Sequence, residues 1–261
     1  MGKMEDPTYP PTGIWFWIYA GLGFIKSIYI CICWHVFYPK VAAINRSKLL
    51  EKFNKETKLQ KTNWDFIKYL FFDINNLVGT YFEPFDFGKL RVGQLAPAGR
   101  LYTLENKETD VQHILSKSVK TVQVLNFGSY SWPPFRYNVD HYIELSKKYG
   151  DQIEFLTIYI AEAHPIDGWI EESNDSLGIC YRKPKKVEDR IHIAKQFIRN
   201  FNYPVPLYVD SIENDTMRIY SAMPERLYLI KNGIIIYKGG PGPLCYSLEE
   251  LEEYIQKLCI L

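Results

Sequence analysis

Cysteine is scarce and badly placed for a structural role. The five present, Cys31, Cys33, Cys180, Cys245 and Cys259, form an odd, scattered set without a CxxC pair, so they are no disulfide framework. Neither they nor the five histidines show the spacing of a metal site. Such usage fits a reducing compartment for the main domain. An excess of charge of one sign is missing too. The formal net charge is +1, which excludes the basic footprint of a nucleic-acid binder and gives no pull toward strongly acidic substrates. Internal repeats and low-complexity tracts are also lacking. What the chain has is apolar mass: 47% hydrophobic and 16% aromatic residues, the composition of a packed globular protein. Its 261 residues suffice for one domain with a sizeable core and an appendage.

Charge is rarest near the N-terminus. Between Asp6 and Lys40 the only formal charge is Lys26, and Ile14 to Tyr38 is almost continuously apolar and aromatic. About 20 such residues span a bilayer, so residues 14–38 are expected to form a transmembrane helix behind a tail, 1–13. Lys26 costs roughly 2.5–3.5 kcal/mol on insertion scales, which its aliphatic and aromatic neighbours offset. A cleaved signal peptide is the rival, but no small-residue A-x-A site follows the run; Phe37-Tyr-Pro-Lys40 does. Lys40, Arg46, Lys48 and Lys52 follow the span against Lys3 before it, which puts the C-terminal domain in the cytosol. Cys31 and Cys33 fall inside the span and read as bulk, not as a redox pair. Residues 39–89 read as a linker, polar from Asn45 to Asn63 and briefly apolar from Trp64 to Phe72.

The main domain, 90–261, is organised around Thr121-Val-Gln-Val-Leu-Asn-Phe-Gly-Ser-Tyr-Ser-Trp-Pro-Pro-Phe135. Val122, Val124, Leu125 and Phe127 predict a buried strand, 121–127. Asn126 to Ser131 carry turn chemistry, with Gly128 free to take positive φ. Pro133 and Pro134 suit the first turn of a helix, 134–149, whose inward positions include Phe135, Val139 and Tyr142 and which Gly150 stops. A strand ending at a helix start is a place where free N–H groups stabilise an anionic nucleophile. A short strand at Arg100 to Leu104 precedes this unit. Strand 153–160, a long connection, helix 187–201, strand 205–209, a hairpin and a last helix follow it. Alternation of this kind implies parallel strand pairs with helices on the faces. Asn232-Gly233 joins Arg226–Ile230 to Ile234–Lys238 in the hairpin. Ser247-Leu-Glu-Glu250 is a capping box that opens the last helix, with Leu248, Leu251, Ile255 and Leu258 inward. The order is that of an α/β, thioredoxin-like fold, and Val92-Gly-Gln-Leu-Ala-Pro97 looks like the opening segment of its peroxiredoxin-like variant.

Three motifs carry a resemblance. Asn126-Phe-Gly-Ser-Tyr-Ser-Trp-Pro-Pro-Phe135 resembles the active-site segment of the iodothyronine deiodinases, membrane-anchored selenoenzymes with a thioredoxin-like fold. Phe155-Leu-Thr-Ile-Tyr-Ile-Ala-Glu-Ala-His-Pro-Ile-Asp-Gly-Trp169 is similar to a second family segment. Ala222-Met-Pro-Glu-Arg-Leu-Tyr-Leu-Ile230, with Tyr237-Lys-Gly-Gly-Pro-Gly-Pro243, is similar to a third. Weaker likeness runs from about Tyr9 to the C-terminus. The family carries selenocysteine where this chain has Trp132, and usually cysteine where it has Tyr130. It often has a substrate-contacting His near Pro184, which is missing here.

The resemblance implies reductive removal of iodine from an iodothyronine ring, with no bound cofactor and a thiol reductant as co-substrate. It also implies a membrane location, a thiol reductant or reductase as partner, and a homodimer. Position 132 is then the catalytic place of a soft chalcogen that attacks iodine. Trp132 has only an indole N–H donor and cannot be that nucleophile; Tyr130 and Ser131 are hard, poor substitutes. Two explanations stand: a UGA codon for selenocysteine written as tryptophan, or a lineage that kept the fold and lost the chemistry. A thiol peroxidase or reductase would need a cysteine at the helix start, and there is none. His164 is placed as substrate and proton-transfer group, Glu162 orients it, and Tyr159 lies near the same relay. Without the resemblance, the same three read as a structural loop His, a solvated carboxylate and a core Tyr. Ser129, Tyr130 and Ser131 are expected at the substrate. Pro224 is expected cis and facing the nucleophile, and Arg226 is expected to hold the amino-acid end of the substrate by bidentate contact. His141 and His192 read as ordinary helix-face residues.

Overall fold

The strand expected to be buried is buried. In a computed structural model that describes residues 90–168, 170–242 and 245–259, Val122–Gly128 forms β3 of a seven-stranded sheet. The other strands are β1 (Arg100–Tyr102), β2 (Glu108–Asp110), β4 (Ile153–Tyr159), β5 (Leu207–Asp210), β6 (Arg226–Lys231) and β7 (Ile234–Lys238), in the order β2-β1-β5-β4-β3-β6-β7. β3 runs parallel to β4, from Val122 opposite Ile153 to Gly128 opposite Tyr159. It runs antiparallel to β6, where Phe127 stands opposite Arg226.

Helices cover both faces: α1 (Val111–Lys117), α2 (Pro133–Tyr137), α3 (Val139–Tyr149), α4 (Glu172–Asp175), α5 (Val187–Phe201), α6 (Asp215–Ile219) and α7 (Leu248–Cys259). Burial on both faces explains why β3 reads as a near-continuous apolar run. On one face Val124, Tyr142, Phe155, Phe197, Leu229, Leu251 and Ile255 share a core. On the other, Leu125, Phe127, Leu156, Tyr220, Tyr228 and Ile230 share a second, with the Phe127 ring 5.1 Å from Tyr220. Three parallel strands, β3, β4 and β5, joined through helices, then an antiparallel hairpin and a closing helix, make this an α/β thioredoxin-like fold. The 92–97 segment lies along the outer strand: Gly93 N bonds to Ile235 O at 2.8 Å and Ala96 N to Gly233 O at 2.8 Å. That contact covers an edge that would otherwise offer free backbone groups.

Several local expectations change. Gly128 is needed for closeness, not for positive φ: a Cβ there would run into the Phe135 ring. The helix expected over 134–149 is two helices, α2 and α3, divided at Asn138 (φ −94°, ψ 0°). Gly150 ends α3 in a right-handed conformation, and a Cβ on it would collide with Ser146 O. The capping box is half made. Ser247 Oγ accepts from Glu250 N at 3.1 Å, while the Glu250 carboxylate accepts from Tyr237 OH at 3.2 Å. Asn232 and Gly233 have φ of 51° and 77°, as the two-residue hairpin turn requires. The expected tail, membrane span and linker lie outside the described residues, among which no helix is long and apolar enough to cross a membrane.

Candidate active site

β3 and β4 end side by side, so the loop after each is delivered to the same place. The 129–132 loop leaves Gly128, and Ile160 N bonds back to Gly128 O at 3.0 Å. Beyond it, Ala163 N donates to Ser129 Oγ at 3.3 Å and His164 N to Ser131 Oγ at 3.0 Å. The two loops are therefore stitched together by the hydroxyls of Ser129 and Ser131.

Side chains from elsewhere hold every backbone polar group of Tyr130 and Ser131. Tyr130 N donates to Tyr159 OH at 2.9 Å, and Ser131 N to Glu162 Oε2 at 2.8 Å. Tyr130 O accepts from Arg136 Nη1 at 2.5 Å, and Ser131 O from Asn174 Nδ2 at 2.9 Å. Tyr159 OH in turn donates to Glu162 Oε1, and the Ser131 hydroxyl also bonds that carboxylate. Burial pushes the Glu162 carboxyl above its ordinary range, only partly offset by the bonds from Ser131 and Tyr159. Burial, with Glu162 alongside, holds the Tyr159 phenol well above its ordinary value. Both groups keep their protons more readily than free side chains would.

Trp132 caps the start of α2, and its ring stacks on His164 with centroids 5.2 Å apart and planes at 18°. It is 2% exposed, as is His164, and its Nε1 is buried without a partner. The indole thus fills the space in front of the histidine. Tyr130 divides its roles. Its backbone belongs to the loop, while its ring packs into the core against Phe197, Phe201 and Tyr181. Pro224 follows a cis bond from Met223, and Arg226 opens β6. Both lie beside the end of β3, but Arg226 is on the sheet face of Phe127 and Tyr228, across from the core that holds Trp132 and Tyr130. Arg226 is 1% exposed there, which does not leave its guanidinium open to hold a substrate carboxylate as expected. His141 is half-buried on α3 and His192 exposed on α5.

The structure places the residues; the comparisons place the chain. The family described as iodothyronine deiodinase matches residues 24–259. This chain belongs to that family. It is 33% identical over 135 residues to the type II iodothyronine deiodinase of Fundulus heteroclitus, covering 51% of each chain. Against the thyroxine 5-deiodinase of Sparus aurata it is 32% identical over 183 residues, 68% of this chain and 65% of that one. The matches thus span from about half to just under two thirds of these relatives' own length. A solved peroxiredoxin-like protein from Aquifex aeolicus aligns over 65% of this chain and 88% of its own at 15% identity and a TM-score of 0.44, which says no more than the sheet order does.

Three buried residues at this candidate site were not legible in advance. Arg136 and Asn174 close the clamp on the loop. Arg190 of α5 donates to Ser211 O at 2.5 Å, Asp210 O at 3.2 Å and Asn214 Oδ1 at 2.7 Å, a cation whose field reaches Glu162 and Tyr159. Each is a polar residue on a short or amphipathic helix, where sequence suggests a solvated face. The one available signal was position: Arg136 follows residue 132 by four and so shares its helical face.

Proposed function

We propose that the chain works by the reaction its relatives are named for: reductive removal of iodine from an iodothyronine ring, with a thiol as reductant. The observation that carries this reading is the stack of His164 on the side chain at 132, with Ser131, Glu162 and Tyr159 bonded behind it. A selenolate or thiolate at 132 attacks the iodine of a C–I bond. The carbon–iodine bond breaks, its electron pair stays on the ring carbon, and that carbon takes a proton from His164. Glu162 and Tyr159 hold the supporting protons. Two thiols then reduce the chalcogen–iodine bond, giving iodide, a disulfide and the regenerated nucleophile. Ser129, Tyr130 and Ser131 frame the ring beside the cis-Pro224 turn.

Tryptophan supplies no ionisable group at 132, so the reaction belongs to the chain that carries selenocysteine there or, less effectively, cysteine. Residues 14–38 cross the membrane once with the domain on the cytosolic side, and two chains pair as a homodimer. The apolar run and the Lys/Arg excess after it support that topology. The assay is release of iodide from labelled iodothyronine, with a dithiol as reductant, by the full chain bearing Trp, Cys or selenocysteine at 132. Activity of the Trp form overturns the assignment of the nucleophile. Silence of the selenocysteine form with its fold intact overturns the reaction and leaves a silent homologue that binds iodothyronine or a protein partner. Full protection of the domain from protease in sealed microsomes overturns the topology.

A further inference from the structure

We infer that Arg136 is the full positive charge that favours ionisation of the reacting group at position 132, beyond what the backbone of the helix start supplies. The inference rests on position 132 being the reactive one. Arg136 N bonds to Trp132 O at 3.3 Å, closing the first turn of α2, so the two side chains lie on one face of that turn. The guanidinium is 4% exposed. Nη1 is spent on Tyr130 O, and Nη2 is buried with no partner. A buried guanidinium is ordinarily matched by an anion, because leaving it unmatched costs several kcal/mol. Among the described residues no acid is in ion-pair contact with it. The residue beside it is a neutral indole whose own N–H is also unmatched.

Backbone donors for position 132 are few: the Phe135 amide, third in the helix, is the one that no carbonyl among the described residues takes. Tyr130 N and Ser131 N are taken by Tyr159 and Glu162, and Trp132 N by Ser129 O at 3.2 Å. The next two residues, Pro133 and Pro134, have no N–H at all, and α2 is only five residues long. A thiolate or selenolate at 132 therefore finds its compensating charge in Arg136. The other groups facing this position work against that or stand apart. Glu162 is held toward its neutral form by burial, Glu171 and Tyr181 come from the connection carrying α4, and Tyr137, Tyr130 and Tyr159 are phenols. His164 stacks on the ring, while Arg190 is committed to carbonyls behind Glu162, and Arg226 lies on the other sheet face.

The test uses the full chain with Trp132→Cys and iodoacetamide. The introduced thiolate forms an S–C bond and iodide leaves, and the rate is read by mass spectrometry on the peptide containing residue 132. That readout separates it from the exposed Cys180 and Cys245. With Arg136 present, the thiol pKa should fall below the unperturbed value of about 8.5. Arg136→Gln keeps a donor for Tyr130 O but loses the charge. It should raise that pKa by about one unit and slow alkylation at pH 6.5 about tenfold, with the high-pH plateau unchanged. Arg136→Lys should stay within about twofold of the parent. A Gln profile superimposing on the parent overturns the proposal, as does equal slowing by Gln and Lys at every pH. If the Gln variant does not fold, a parent pKa at or above about 8.5 overturns it alone. None of these readings needs iodide release, so a chain that fails to deiodinate yet shows the shift loses the reaction and keeps the role of Arg136.

Discussion

Exchanging Trp132 for cysteine should cost the protein modest stability, and the size of the loss can be worked from two opposing effects. The indole is 2% exposed and stacked on His164. Truncating a buried tryptophan ordinarily costs about 3–5 kcal/mol in lost contacts and cavity. Against that, Nε1 is buried without a partner, and an unmet buried donor carries about 1–3 kcal/mol that truncation relieves. The remainder is a loss of about 0–4 kcal/mol, centred on about 2. None of the four hydrogen bonds on the Tyr130 and Ser131 backbone uses the side chain at 132, so the loop should keep its shape. Urea titration of the full chain in detergent, followed by far-UV circular dichroism, reads the difference at constant m. A loss above about 4 kcal/mol, or a changed m, would refute the reasoning, because the indole would then be shaping the loop. A gain in stability would refute the packing half of the argument.

Gly128→Ala should cost at least about 1–3 kcal/mol, since the new methyl meets the Phe135 ring and α2 must shift; an unchanged Tm would contradict this. Asn174→Ala should remove about 1–3 kcal/mol and speed amide exchange across 171–180 while leaving β3 protected; uniform exchange would show that Asn174 does not tie that connection down. Burial raises the Asp210 carboxyl to about 6 despite three backbone N–H bonds from Ser211, Thr216 and Met217. Its folded value thus exceeds the unfolded value of about 3.9, so the folded state binds the proton more tightly and stability falls as pH rises from roughly 4 to 6. That loss is up to about 3 kcal/mol, and Asp210→Asn should flatten it; a parent that gains stability over Asp210→Asn across the window reverses the sign.

Sequence made the frame readable where pattern and physics agree. Helix 187–201 and the Asn232-Gly233 hairpin stand where periodicity and turn chemistry put them. His164, Glu162, Tyr159 and Ser131, which the motif likeness singled out, lie together. Elsewhere local chemistry gave the right residue for a different reason. Gly128 reads as a turn glycine, yet what it accommodates is the phenyl ring of Phe135, a contact no local pattern encodes. The break at Asn138 is likewise hidden, because the apolar spacing of Phe135, Val139 and Tyr142 continues across it. Arg136, Asn174 and Arg190 were missed because burial of a polar side chain depends on what packs over it. Those partners are carbonyls brought near by the tertiary fold.

The clamp on Tyr130 and Ser131 draws on three separate parts of the chain: the end of β4, the first turn of α2, and the connection carrying α4. It owes nothing to the residue mounted next to it. The mounting and the mounted part are therefore separable. An exchange at position 132 would change what the site presents and leave the apparatus around it standing.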